Sequence, residues 1–195
     1  MVLASASETR HRILTNAGIA HVCDAADVNE KTIRDELKKS GADAAAAASA
    51  LARAKAAAVA KRHGGALVIG ADQILASEGR WFEKPRDRAD ALATLQALRG
   101  RTHQLITAVA INRDGRQVWE NVATARLTMR KFSDEFAVRY LETAGQDALA
   151  SVGAYRLEGQ GAQLFTVIEG DYFAILGLPL LPLLGYLREA RVLER

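Results

Sequence analysis

The chain is predicted to fold as an α/β protein, a mixed sheet with flanking helices, and three observations carry that expectation. Strand-like apolar runs alternate with helical stretches along most of the length. "ALVIGADQIL" (Ala66–Leu75) begins as an unbroken apolar run, the pattern of a strand buried on both faces in a parallel arrangement. "THQLITAVAIN" and "QVWENVATARLTMR" flank the turn Arg113-Asp114-Gly115, which reads as an antiparallel hairpin, so the sheet is mixed.

The elements follow in order. Val2–Ala4 is read as the end of a strand and Ala6–Ala17 as a helix that Gly18 terminates. "IAHVCDA" (Ile19–Ala25) is a second strand, and "DVNEKTIRDELKKSG" a polar connection with room for one helical turn or more. Asp43–Gly65 is the clearest helix: alanine is the best helix former, Asp43 suits its start, and Gly64-Gly65 ends it. Its alanine run is low in complexity, yet Leu51, Ala54, Ala58 and Val59 mark a thin apolar face. Arg86–Leu98 is amphipathic, with Leu92, Leu95 and Leu98 as its stripe. Ser133 caps a helix through Thr143, and glycine-rich Gly153–Gly161 leads to the strand "LFTVI". A helix over about Leu180–Ala190 closes the chain. No linker rich in Pro, Gly or Ser cuts the sequence, so residues 1–195 are read as a single domain.

Composition bounds the function. A chain of 195 residues can bury one core, or two small lobes that share one. The formal charge of +3 is small and the basic residues are scattered, which argues against a nucleic-acid partner. Cys23 is the only cysteine, excluding an intramolecular disulfide and a Cys-rich zinc site and fitting a reducing compartment. "MVLASASETRHR" lacks the apolar core of a signal peptide, and "FAILGLPLLPLLGYL" is broken by Gly177, Pro179, Pro182 and Gly185. No membrane association is expected, and a cytoplasmic location is.

Several positions carry chemistry. In "LASASETRHRIL", Ser5 or Ser7 can cap the first helix, with Glu8 three residues after Ser5 as in a capping box. The same hydroxyls, with free backbone N–H groups and Arg10, also suit an anion at a helix N-terminus. Asp72 follows "LVIGA" where ligands of open α/β sheets gather, and its carboxylate can hold a divalent ion or orient a water. A turn or cap aspartate is the bland alternative. Taken singly, Glu30 reads as a solvated acid, Lys55 as a solvated helix face without an acidic i±4 partner, and Lys84 in "FEKP" as a surface turn. Glu158 lies among Gly153, Gly159 and Gly161, but the Lys-Ser/Thr ending of a phosphate-binding Walker loop is missing. His103 has no second metal ligand at useful spacing and reads as a structural histidine.

Together these pieces resemble the Maf family of nucleoside triphosphate pyrophosphatases almost end to end. "LASASETRHRIL" resembles its L-A-S-x-S-x-x-R opening, "DVNE" its D-V-D-E stretch, and "LARAKAAAVA" its L-A-x-x-K-A segment. "VIGADQIL" is similar to its G-A-D strand, "EKP" to its G/E-K-P loop, and "LRGRTHQLITAVAI" to its S-G-x-T-H element. "GAYRLEGQGA" and "GDYFAILGLPL" resemble its G-A-Y-x-I-Q-G and G-D-Y-x-x-V-x-G-L-P-L signatures.

The resemblance implies two lobes around a deep cleft, a homodimer, and hydrolysis of a nucleoside triphosphate between its α- and β-phosphates with Mg²⁺ or Mn²⁺. Asp72 then takes the proton acceptor's place and shares metal and water with Glu30. Ser5, Arg10, Lys55 and Lys84 hold the triphosphate. Three departures bear on the base. Thr9-Arg10 stands where the family usually has paired arginines, Gln73 follows the G-A-D aspartate, and Glu158 replaces the I-Q-G glutamine. Gln73 and Glu158 resemble the branch acting on 7-methylguanosine triphosphate, although that branch usually carries Trp at the position of Thr9. A carboxylate at 158 can accept both N1–H and the 2-amino group of guanine. The alternatives are the thymidine/uridine triphosphate branch, an inosine-triphosphatase-like hydrolase, and a non-catalytic nucleotide-binding regulator of septum formation.

Overall fold

In the computed structural model, which describes residues 1–194, the short strand β1 (Val2–Leu3) lies between two parallel partners, β2 (Val22–Cys23) and β3 (Val68–Ser77). Beyond β3 come β5 (Thr102–Arg113), β6 (Arg116–Met129) and β7 (Phe165–Glu169), giving the order β2-β1-β3-β5-β6-β7. The short β4 (Arg80–Phe82) pairs antiparallel with the far end of β3, and β6 pairs antiparallel with β7. The predicted mixed sheet with flanking helices is therefore present.

The β5–β6 hairpin closes through Asp114 and Gly115, whose φ values of 52° and 80° are the paired positive angles of a type I′ turn. Asp114 tolerates that geometry and also accepts a 2.7 Å hydrogen bond from Gly65 N.

The chain divides into two compact units. Unit 1 contains residues 1–73, 106–123 and 171–195; unit 2 contains 74–105 and 124–170. Strands β3, β5 and β6 contribute residues to both.

Unit 1 carries the helices α1 (Glu8–Asn16), α2 (Glu30–Lys39), α3 (Ala44–Ala60), α7 (Tyr172–Ile175) and α8 (Leu180–Glu189). Strand β1 and the first half of β3 are buried on both faces, whereas both residues of β2 are exposed. Leu3, Ile69 and Ala71 join a core with Ile13 and Leu14 of α1 and Leu180, Leu183 and Leu187 of α8. Val2, Ala4 and Val68 point the other way, against Val59 and Ala60 of α3. The apolar C-terminal stretch thus spends most of its stripe inside this unit, while Leu181 stays 59% exposed.

Two elements sharpen the expectation. The polar connection after β2 contains a full helix, α2, which has no buried residue and is supported by its Asn29 cap and by Lys38 and Lys39 in its last turn. Helix α3 buries Leu51 and Val59 of the expected face, while Ala54 and Ala58 are only half-buried and Ala48, Ala52, Lys55 and Ala56 are buried with the two.

Unit 2 holds β4, β7, α4 (Arg88–Leu98), α5 (Asp134–Ala144), α6 (Gln146–Leu149) and a 3₁₀ turn at Gln160–Leu164. Helices α4 and α5 pack on each other, α4 through Ala91, Thr94, Leu95 and Leu98 and α5 through Ala137, Tyr140 and Leu141. Asp87 caps α4 and Ser133 caps α5, each side chain accepting a backbone N–H.

Candidate active site

The site begins with a glycine. Gly70 lies in β3 where α3 crosses it, and a Cβ there would come within 2.2 Å of the Ala52 carbonyl oxygen and 2.6 Å of the Ala56 nitrogen. Helix and strand backbones therefore meet with almost nothing between them, which alanine on one side and glycine on the other permit. One turn along α3 from Ala52, this closeness turns Lys55 toward the strand and buries it to 7% exposure.

Lys55 Nζ lies 2.6 Å from Asp72 Oδ1 and 2.9 Å from Glu30 Oε1. The bland reading of Lys55 as a solvated helix face is overturned: the acidic partners missing at i±4 are supplied by β3 and α2, far away in sequence. The expectation for Asp72 also needs correction. It is not at the end of a strand but in the middle of β3, past the Val68–Ile69 segment that pairs with β1 and before the Leu75–Ser77 segment that pairs with β4. Glu30 is not a loop residue; it opens α2, where a carboxylate suits the positive helix end.

Asp72 is 4% exposed, and its second oxygen, Oδ2, is buried with no hydrogen-bond partner among the described residues. A buried carboxylate oxygen without a donor requires one from outside the protein: a water, a ligand or a cation.

The opening strand-to-helix turn resolves its two serines into different tasks. Ser7 caps α1 by accepting from Arg10 N at 3.4 Å, so the cap belongs to Ser7 rather than to a Ser5–Glu8 box. Ser5 Oγ accepts from Ser7 N and from Arg10 Nη1, both at 3.2 Å. Arg10 Nε donates to the Gly177 carbonyl at 2.7 Å. Gly177 has φ +102°, and a Cβ there would sit 3.4 Å from Arg10 Nε, so glycine serves both backbone and guanidinium. Burial pulls the Arg10 pKa below the usual arginine value, opposed by the negative charges of Asp72 and Glu30. The serine–arginine group and the lysine–carboxylate group thus share one electrostatic field.

Thr9 stands beside Arg10 on α1, partly exposed. Gln73 is tied into the protein: its amide nitrogen lies 2.8 Å from Thr107 Oγ1 and 3.0 Å from the carbonyl oxygens of Ala174 and Ile175. Thr107 donates to the same Ala174 carbonyl at 2.9 Å. Gln73 therefore braces α7, a role that its neighbour Asp72 did not reveal in the sequence.

Lys84 and Glu158 belong to unit 2. Lys84 is exposed in the segment after β4. Glu158 Oε1 accepts from Arg156 Nη2 at 3.1 Å, and Arg156 Nη1 pairs with Asp147 at 2.9 Å. In the same unit His103 is 1% exposed and bonds Tyr155 Oη through Nε2 at 2.7 Å, while its Nδ1 is buried without a partner among the described residues. It is structural as expected, but only half satisfied, and burial lowers its pKa to about 4.

Gly70, Gly177 and Thr107 were missed as site-building residues. An isolated glycine within an apolar strand is a recognised sign of close backbone approach, and "VIGAD" carries that sign.

Fold and side chains define an α/β protein with a carboxylate–lysine–arginine centre in unit 1, equipped for a polyanion and for a hard cation. The chain belongs to the Maf-like protein family, whose sequence model matches residues 1–190. A nucleoside triphosphate pyrophosphatase of Paramagnetospirillum magneticum is 51% identical over 188 residues, covering 96% of this chain and 97% of that protein. Two 7-methyl-GTP pyrophosphatases are similar over the whole chain and 98% of their own lengths. That of Rhizobium etli is 47% identical and that of Rhizobium johnstonii 50%. Among the described residues, no helix is long and apolar enough to cross a membrane.

Proposed function

We propose that this chain is a nucleoside triphosphate pyrophosphatase that cleaves the α–β phosphoanhydride, leaning to 7-methylguanosine triphosphate and similar purine substrates. The observation that carries the proposal is the Asp72 carboxylate. One oxygen is neutralised by Lys55 at 2.6 Å and the other is buried without a partner among the described residues.

That orphaned oxygen and the half-exposed Glu30 are hard oxygen donors of the kind Mg²⁺ or Mn²⁺ takes. When bound there, the ion would polarise the phosphate oxygens and lower the pKa of an attacking water. Asp72 is the base that takes the proton from that water as its oxygen attacks the α-phosphorus. The bond from the α-phosphorus to the bridging oxygen breaks, and pyrophosphate leaves with the electron pair. Arg10, held by Gly177 and Ser5, presents a fixed cation to the phosphates, and Lys55 offsets the carboxylate charge that would otherwise repel them. Lys84 adds a further cation for the triphosphate.

For the base, a carboxylate at Glu158 accepts two donors from guanine and favours a positive 7-methylguanine. Gln73 commits its nitrogen to Thr107 and α7, so a ligand's donor would meet its carbonyl oxygen. Thr9 offers no ring to stack on. Two curated relatives named for 7-methyl-GTP support this reading. The reading also takes both units as one catalytic domain and places the chain in the cytoplasm, where nucleoside triphosphates are made. The homodimer is part of it, supported by exposed apolar side chains such as Leu181 and Val192 near the C-terminus.

The test is pyrophosphate release with Mg²⁺ or Mn²⁺ across 7-methylguanosine, thymidine, uridine and inosine triphosphates. Monophosphate plus pyrophosphate, fastest from 7-methylguanosine triphosphate, is the expected result. Preference for thymidine or uridine triphosphate would remove the assigned base. Binding without turnover by folded protein would favour a regulatory role instead.

A further inference from the structure

Away from the carboxylates, three other side chains of unit 1 converge: His11 on α1, His21 in the segment before β2, and Cys23 on β2. His11 Nδ1 lies 2.9 Å from His21 Nε2 and 3.4 Å from Cys23 Sγ. All three potential ligand atoms fall within 4.8 Å of one another. The imidazole rings meet edge to face, with centroids 5.0 Å apart.

The proton arrangement is informative. His21 Nδ1 sits 2.7 Å from the Ile19 carbonyl, which can only accept, so in the neutral ring Nδ1 holds the proton and Nε2 turns its lone pair into the cluster. A backbone carbonyl on the far nitrogen is also what orients metal-binding histidines. His11 Nδ1 faces that lone pair and the sulfur together. With a proton on it, His11 serves one neighbour at full strength; without one, it opposes the His21 lone pair at 2.9 Å. A single cation among the three satisfies them all.

Two imidazoles and a thiolate make a borderline-soft donor set that suits Zn²⁺ or Co²⁺ and not Mg²⁺. Tetrahedral zinc with bonds of about 2.0–2.1 Å to nitrogen and about 2.3 Å to sulfur sets nitrogen–nitrogen edges near ~3.3 Å and nitrogen–sulfur edges near ~3.6 Å. The two His11 distances need to widen by only a few tenths of an ångström, the His21–Cys23 separation already lies within 4.8 Å, and His11 and Cys23 are exposed side chains.

We propose that His11, His21 and Cys23 form a site for one divalent transition metal of the zinc type, with a fourth position open. It is separate in residues and in donor chemistry from the carboxylate centre. An ion there would clamp α1 to β2 immediately beside Arg10.

The probe is Co²⁺, added to the metal-free full chain, because thiolate-bound cobalt has a charge-transfer absorption that oxygen-bound cobalt lacks. The expected result is one such cobalt per chain, displaced by Zn²⁺, with Cys23 protected from alkylation. Cys23→Ser abolishes the band, His21→Ala weakens cobalt binding at least about 100-fold, and Asp72→Asn leaves both unchanged. A native chain without the band would overturn the proposal. So would a band whose affinity is the same in His21→Ala, since the thiol would then be acting alone.

Discussion

Lys55 and Asp72 form a buried ion pair at 2.6 Å in which only one of the two carboxylate oxygens is used. Asp72→Asn keeps the acceptor that Lys55 needs but removes the base, and is expected to lower kcat about 10²–10⁴-fold. Lys55→Ala leaves a buried carboxylate without its main counter-charge and is expected to cost about 3–5 kcal/mol of stability. In a double-mutant cycle with Asp72→Ala, much of that cost should vanish. Additive losses in denaturant melts would show that the pair is not coupled.

Gly70→Ala is expected to destabilise the protein by at least about 3 kcal/mol, because the new methyl meets backbone atoms at 2.2 and 2.6 Å and no rotamer can relieve it. Thermal unfolding measures this directly. A variant that melts with the parent would mean that α3 can shift away from β3 at little cost.

Ser5 and Ser7 should separate in their effects. Ser7→Ala removes the α1 cap and is expected to cost about 1 kcal/mol, or roughly 2–4 °C in Tm for a chain of this size. Ser5→Ala is expected to leave Tm nearly unchanged and to raise KM about tenfold by freeing Arg10 from one of its supports. The reverse pattern would reassign the two hydroxyls.

His103 makes stability depend on pH. Its folded pKa of about 4 is below the ordinary value of 6.5, so the unfolded chain binds the extra proton in that window. Its contribution is complete above 6.5 and is lost as pH falls from 6.5 toward 4, on the order of 3 kcal/mol in all. Replacing His103 with Gln should flatten this part of the stability–pH curve. An unchanged slope in urea titrations between those pH values would exclude His103 as its source.

Glu158→Gln is expected to reduce the preference for 7-methylguanosine over thymidine triphosphate about tenfold or more in kcat/KM. The same variant weakens the pairing with Arg156, so its Tm is the control for structural loss. An unchanged ratio would show that Glu158 does not read the base.

Local signals survived into the fold: the Asp114-Gly115 turn, the Ser133 and Asp43 caps, and the apolar run of β3 each depend on a few adjacent residues. The length of α2 was not legible, because only Ile33 and Leu37 mark its apolar side and both are no more than half-buried among charged neighbours. Among site residues, Asp72 and Arg10 stood out as types in suitable contexts, while Lys55 did not. Its burial is decided by Gly70, Asp72 and Glu30, none of which is near it in the chain. Gln73 was visible only as a departure from a motif; its bracing of α7 depends on Thr107 and two carbonyls more than thirty residues away. Partners supplied by tertiary packing have no periodicity to announce them.

The alanine-rich helix has a consequence for how this protein can vary. Proteins commonly gain stability by filling gaps with larger apolar side chains. On the inner face of α3 that route is closed, because Ala52 and Ala56 act as a gauge whose thickness is the backbone itself. Gains in thermal stability must therefore come from elsewhere, such as the core between α1 and α8, unit 2 or solvent-facing positions, and what looks like compositional drift in the sequence is a spacing set by a close backbone approach.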